Sequence, residues 1–279
     1  MIHATSTQSP VQVTPNVGVF CRIRATHRHA IRRVPINQPT LIRVVRGNKQ
    51  VWWGQVDRQI GIDTMLVLPV GAEVHLANVP DVTGCYEAEM WSLDAMLLAR
   101  MQRHHAEVVA SSLSLDRVSL PWQMLDPVTE RAWTRLWSSI TTSELALPII
   151  QHRAEECLLS LLLAGGGQAL FVANNGGVVD RVRQWVMLLP AHPWTTAELA
   201  ARMNCSEATL RRKLAHFGAS VRDILENVRM GQGLALLQTS SHDVAEIAAQ
   251  CGYQSASRFS IRFRERYGLS PSELRRAMA

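Results

Sequence analysis

Residues 244–274, VAEIAAQCGYQSASRFSIRFRERYGLSPSEL, constrain the fold of this chain more than any other stretch. Ala245, Ile247, Ala248 and Cys251 are expected to mark the buried face of a short helix. Gly252 supplies the positive φ that a tight helix–helix turn needs. Ser255 is placed to cap a second helix running through Arg266, because its hydroxyl accepts an orphan backbone N–H. Phe259 and Phe263, four residues apart, anchor that second helix on the first. Ser257, Arg258, Ile261, Arg262 and Arg264 are left for other surfaces. Two helices about a glycine turn, with arginines on the second, make a helix-turn-helix unit.

The same plan occurs once more upstream. Residues 196–218, TAELAARMNCSEATLRRKLAHFG, give a short helix capped by Thr195 or Thr196. A turn at Asn204-Cys205 follows, then a helix capped by Ser206 and a closing glycine. Leu210 and Leu214 correspond to Phe259 and Phe263, and Asn204 stands where the later copy has Gly252. Asparagine also tolerates the left-handed conformation, so the turn chemistry survives. The segment from Ser220 to Gln238 reads as one helix of 19 residues, about 28 Å long. That spacer puts the second helices of the two units roughly one DNA turn, ~34 Å, apart. Charge follows the same division. Residues 180–279 hold 14 Lys+Arg against 9 Asp+Glu, whereas residues 1–179 hold 15 against 14. The positive excess sits where phosphates would be neutralised.

The first half has another texture. Residues 1–16 are polar and read as an arm. From Val17 to Asp94, short apolar runs alternate with turn residues: Thr40–Val45, Gln50–Val56, Thr64–Leu68, Glu73–Asn78 and Tyr86–Ser92. Runs at this spacing predict a β sandwich or small barrel. Helices are expected over Asp94–Ala110 with Asp94 as cap, over Pro127–Ile140 and over Pro148–Ala164. Residues 165–179 read as a linker, glycine-rich at 165–167 and rich in asparagine and glycine at 174–177. The fold class is therefore α+β. A β-rich part (17–93) is followed by helices (94–164), then by an all-α part (180–279) whose two helix-turn-helix units, 196–217 and 244–267, share one long helix.

This arrangement resembles the AraC/XylS family of transcription regulators. The residues that carry the resemblance are Ile247-Ala248, Gly252-Tyr253, Ser255, Phe259, Phe263, Gly268 and Ser270-Pro271. It covers about residues 180–279. The first half is similar in layout alone: a cupin-like sensor domain followed by helices that dimerise. The resemblance implies that the early, outward residues of each second helix contact double-stranded DNA. In the first unit these are Ser206, Glu207, Ala208, Thr209, Arg211, Arg212 and Lys213. In the second they are Ser255, Ala256, Ser257, Arg258, Ile261, Arg262 and Arg264. Arg211 and Arg212 have the fork that matches guanine O6/N7. Ala208 is smaller than the reading side chains common there, and Ile261 stands where a polar reader is frequent, leaving it a thymine methyl to touch. The resemblance further implies an activator that contacts RNA polymerase, a small-molecule effector and a homodimer.

Other chemistries are poorly served. There is no G-x-S-x-G, P-loop or G-x-G-x-x-G, so no catalytic residue and no cofactor is expected. His27, Glu73 and His75 are the best metal candidates, but they lack the spacing of active cupins, and no metal is expected. A cupin-type enzyme or ligand-binding protein with an accessory helical part is the rival reading; a non-specific architectural DNA protein is the third. The five cysteines contain no CxxC and read as buried free thiols. Trp52-Trp53, Met90 and Trp91 are candidates for an effector pocket, with strand alternation sending one of the paired tryptophans into the core. No apolar run reaches 18 residues and the N-terminus lacks a signal-peptide pattern, which predicts a cytoplasmic protein without membrane contact.

Overall fold

The computed structural model describes residues 11–113, 120–141, 145–171 and 177–279. Its strands are β1 (Val11–Thr14), β2 (Gly18–Ala25), β3 (His29–Pro35), β4 (Thr40–Arg46), β5 (Asn48–Trp53), β6 (Val56–Ile60), β7 (Thr64–Leu68), β8 (Glu73–Val79), β9 (Tyr86–Leu93) and β10 (Trp122–Met124). The helices are α1 (Ala95–His104), α2 (Ala106–Leu113), α3 (Pro127–Thr141), α4 (Leu147–Leu163), α5 (Val178–Leu188), α6 (Thr196–Arg202), α7 (Glu207–His216), α8 (Val221–Thr239), α9 (Val244–Gln250), α10 (Ala256–Tyr267) and α11 (Pro271–Met278). The architecture is the α+β one expected: a β-rich first part, helices, then an all-α part with two helix-turn-helix units. The chain divides into two compact units, one of residues 11–28, 38–70 and 78–171, the other of residues 29–37, 71–77 and 177–279.

The first unit is built on an antiparallel sheet of order β1-β2-β9-β4-β7-β10. Gly18 pairs with Leu93, and the β2–β9 ladder runs from there to Ala25 opposite Tyr86. Strand alternation sends Phe20, Leu41, Met65 and Trp91 to one face, where α3 and α4 supply Trp133, Leu136, Ala154 and Leu158. Phe20 stacks on Trp91 at 5.3 Å between centroids, and the indole N–H of Trp91 donates to the Val17 carbonyl. Such aromatic pairs carry much of a core's burial energy. Lys49 on β5 is buried in this unit, 2 % exposed. Its ammonium donates to the Asn78 side-chain carbonyl, and burial lowers its pKa to about 7.

Several sequence expectations need correction here. Residues 11–14 of the supposed arm form β1, paired with β2 from Val11–Cys21 to Thr14–Gly18; residues 1–10 lie outside the described residues. Gln50–Val56 is not one strand, because Gly54 at φ 59° reverses the chain and makes a hairpin of β5 and β6, with Trp53 opposite Val56. Both Trp52 and Trp53 are consequently half-buried, and neither is a core residue. Asp94 caps its helix through Met96 N–H as expected, but the helix breaks at His105, and Met96 is 54 % exposed. Cys85 and Cys205 are half-buried, while Cys21, Cys157 and Cys251 are buried free thiols. Residues 168–170, inside the expected linker, form a 3-10 turn, and Leu170 and Phe171 join the first unit's core. The glycines around them masked two apolar anchors.

The second unit also contains a segment from the first half of the chain. β3 and the first five residues of β8, neighbours in one sheet, cluster with the C-terminal helices. Arg266 of α10, 6 % exposed, donates from Nε to the Arg33 carbonyl and from Nη2 to the Glu73 carboxylate, each at 3.2 Å. A buried guanidinium requires such partners.

Candidate nucleic-acid interface

Each unit forms from local rules. Thr195 caps α6 through Glu198 N–H, Ser206 caps α7 through Thr209 N–H, Asp243 caps α9 through Glu246 N–H and Ser255 caps α10 through Arg258 N–H. Asn204 at φ 50° and Gly252 at φ 77° are both left-handed. The N–H after each reaches back to a helical carbonyl, Cys205 to Ala200 at 3.0 Å and Tyr253 to Ala248 at 2.9 Å. That is the Schellman arrangement, and it fixes the angle at which the second helix leaves the first. Leu210, Leu214, Phe259 and Phe263 are all at most 1 % exposed, so the apolar pairs fasten each second helix inward and turn its opposite face outward.

On α7 that outward face carries Ala208, Arg211 and Arg212, all exposed. Arg211 donates to Glu207 at 2.8 Å; among the described residues Arg212 has no ion-pair partner. Lys213, His216 and Phe217 lie on the flank beside α5, where with Arg181 and Arg212 they line a groove of about 550 Å³. On α10 the outward face carries Ser257, Arg258, Ile261 and Arg264. Ile261 is 56 % exposed, one of several large apolar side chains that face solvent. Arg262 donates to Glu265 at 3.2 Å and points along a groove that also contains Tyr253, Arg258 and Trp194. Ser206 and Ser255 spend their hydroxyls on capping, and Ala256 is half-buried, so these three shape the helix starts. Among the described residues no group of three or more His, Cys, Asp or Glu is placed to hold a metal ion.

A scan against family models matches residues 199–277 to a helix-turn-helix domain. Residues 199–277 are thus a helix-turn-helix domain. The matched segment contains α7, the whole of α8 and the α9–α10 unit with its Ser270-Pro271 cap, so the resemblance read from the motif residues holds for this domain. Over 83 residues the chain is 36 % identical to the HTH-type transcriptional regulator GadX of Escherichia coli O6:H1, covering 30 % of each protein. It is 33 % identical over 128 residues to the HTH-type transcriptional regulator YdeO of Escherichia coli K12, 44 % of this chain and 50 % of that one. The match thus spans 30 % to 50 % of the length of these two curated relatives. The fold of the whole is similar to that of ToxT from Vibrio cholerae, solved with an unsaturated fatty acid bound. The TM-score is 0.70 at 12 % identity, covering 96 % of this chain and 98 % of that one.

Two features of the interface were missed in the sequence. Arg229 donates from Nε to the Pro190 carbonyl and from Nη2 to the His192 carbonyl, each at 2.9 Å, tying α8 to the segment before α6. Gly252 is demanded by crowding as well as by φ: a Cβ there would stand 3.0 Å from Ala191 Cα and 3.1 Å from the Arg229 guanidinium.

Proposed function

We propose that this chain is a sequence-specific DNA-binding transcription regulator. Its two helix-turn-helix units would read two successive major-groove segments on one face of a duplex. The observation that carries this is the pair of outward faces, on α7 and α10, held by one continuous 19-residue helix α8. Affinity comes from lysine and arginine contacts with phosphates, and sequence choice from a few side chains at the helix starts. Arg211 and Arg212 are the guanine readers, and Ile261 touches a thymine methyl. Residues 180–279 do the binding. Residues 1–164 sense a small-molecule effector and dimerise, and RNA polymerase is the partner through which the bound protein activates. The protein works in the cytoplasm and is not an enzyme.

Selection of duplexes from a random pool by the full chain tests this. The expected product is an asymmetric site with two informative segments about 10 base pairs apart. Binding without enrichment of any sequence would support the architectural reading, and absence of duplex binding would overturn the proposal. Stoichiometric iron or zinc in the purified protein would revive the cupin-enzyme reading.

A further inference from the structure

The surface where α10 meets α8 and the start of α6 is grooved. Two adjoining grooves, of about 700 Å³ and about 420 Å³, share Trp194, Leu225, Arg229, Tyr253 and Arg262. One extends to Arg258 and Ile261 on α10; the other to Thr196 at the start of α6 and Arg222 at the start of α8. Four arginines line this continuous surface, against one carboxylate, Glu226. Arg229 is held in place by its two carbonyl acceptors, which leaves part of its five-donor fork unused. Arg262 sits on the α10 flank that faces the groove. Its ion pair with Glu265 is long, and both side chains are about half exposed, so that pair offers little resistance to exchange for another anion. Tyr253 is half-buried, edge-on to Phe259 at 5.5 Å. Its phenol is protonated at neutral pH, as an ordinary tyrosine's is, and can donate.

When two helices lie in successive major grooves on one face of a duplex, the minor groove and its sugar–phosphate strands pass between them. We propose that the groove between the units seats those phosphodiesters. Arg262 and Tyr253 are their principal contacts, and Arg262 positions the duplex without reading a base. This rests on the reading above and deepens it. Arg262 was grouped by the resemblance with base-contacting residues; its flank position reassigns it. The consequence is that the DNA is gripped at three places by one chain, with the central contact indifferent to sequence.

The test uses the full chain, its selected duplex and a random-sequence duplex, with affinities measured over a range of salt concentrations. Arg262→Ala is expected to weaken both complexes by the same factor, about five- to tenfold. It should also reduce the slope of log K against log[salt] by about 1, with base preference unchanged. Arg262→Lys should restore the slope, which separates lost charge from lost folding. Tyr253→Phe should give a smaller, equally uniform loss. Ethylation of phosphates midway between the two informative segments should block binding of the wild-type chain. A changed preference at one base pair in Arg262→Ala would make it a reader and overturn the inference. So would an unchanged slope with tolerance of central ethylation. In either case a selective wild type and an Arg212→Ala defect would leave the proposed function standing, whereas a wild type that binds no duplex overturns both.

Discussion

The two helix-turn-helix units share one backbone solution and differ in what occupies it. Their turns make the same pair of back-reaching hydrogen bonds, yet one uses asparagine and the other glycine. Conformation alone does not demand the difference, since Asn204 adopts φ 50° with its side chain present. Neighbours do. The second turn is pressed against Ala191 and the guanidinium of Arg229, the arginine that ties the bridging helix to the residues before α6. The outward faces differ in the same manner: α7 presents Arg211 and Arg212, and α10 centres on Ile261. Hydrogen bonding thus sets the shape of each unit, while packing and ligand contact set the residues that fill it.

The largest expected effect falls on the crowded turn. Gly252→Ala should cost about 2–4 kcal/mol in urea unfolding of the full chain. That combines a left-handed alanine with a Cβ 3.0 Å from the Ala191 Cα, a neighbour that must give by a few tenths of an ångström. A loss below about 1 kcal/mol would mean that the segment at Ala191 yields, and the contrast with Asn204 would then lose its cause.

How much of this was legible depends on whether the deciding contact was local. Helix starts at Ser206, Ser255 and Ser270 were readable because an N-cap bonds a backbone group three residues away. The inward pairs Leu210/Leu214 and Phe259/Phe263 were readable because a helix returns to the same face every four residues. The outward assignment of Arg212 followed by subtraction. The burial of Arg266 did not, because its partners Arg33 and Glu73 lie 233 and 193 residues away in sequence. Lys49 was missed for the same reason: nothing beside it in sequence announces the Asn78 carbonyl that receives its ammonium. The reversal at Gly54 failed differently. An apolar run around it, Val51 to Trp53 and then Val56, looked continuous, and a two-residue turn leaves a weak trace. Arg262 shows the limit within a well-read motif, since its place on the helix was evident but the groove it faces belongs to three other segments.

The next effect separates the two outward faces. Arg212→Ala should weaken the complex with the selected site by about 1–3 kcal/mol and the complex with random DNA by less. Selection repeated with this variant should then relax one position in the segment read by the first unit. If the operator-to-random ratio stayed constant, α7 would be a phosphate-binding helix and the supposed asymmetry between the units would disappear. Ile261→Ala addresses the other side. Trimming an exposed aliphatic chain that touches a thymine methyl should remove less than about 1 kcal/mol of preference at a single base pair. A loss as large as that of Arg212→Ala would place the second unit level with the first as a reader.

The smallest effect belongs to the permissive turn, and it is informative because two opposed contributions nearly cancel. Asn204→Gly relieves the cost of a left-handed residue bearing a Cβ. It also enlarges the conformational freedom that the unfolded chain must give up, by about 0.4–1 kcal/mol. The net change in the unfolding midpoint should correspond to no more than about 0.5 kcal/mol in either direction, and DNA affinity should be unchanged because Cys205 N–H still has the Ala200 carbonyl to bond. Measured beside Gly252→Ala in the same chain, it places both swaps on one scale. A destabilisation by Asn204→Gly comparable to that of Gly252→Ala would show that the Asn204 side chain holds the first turn, which would make the two turns different structures in place of one structure with different neighbours.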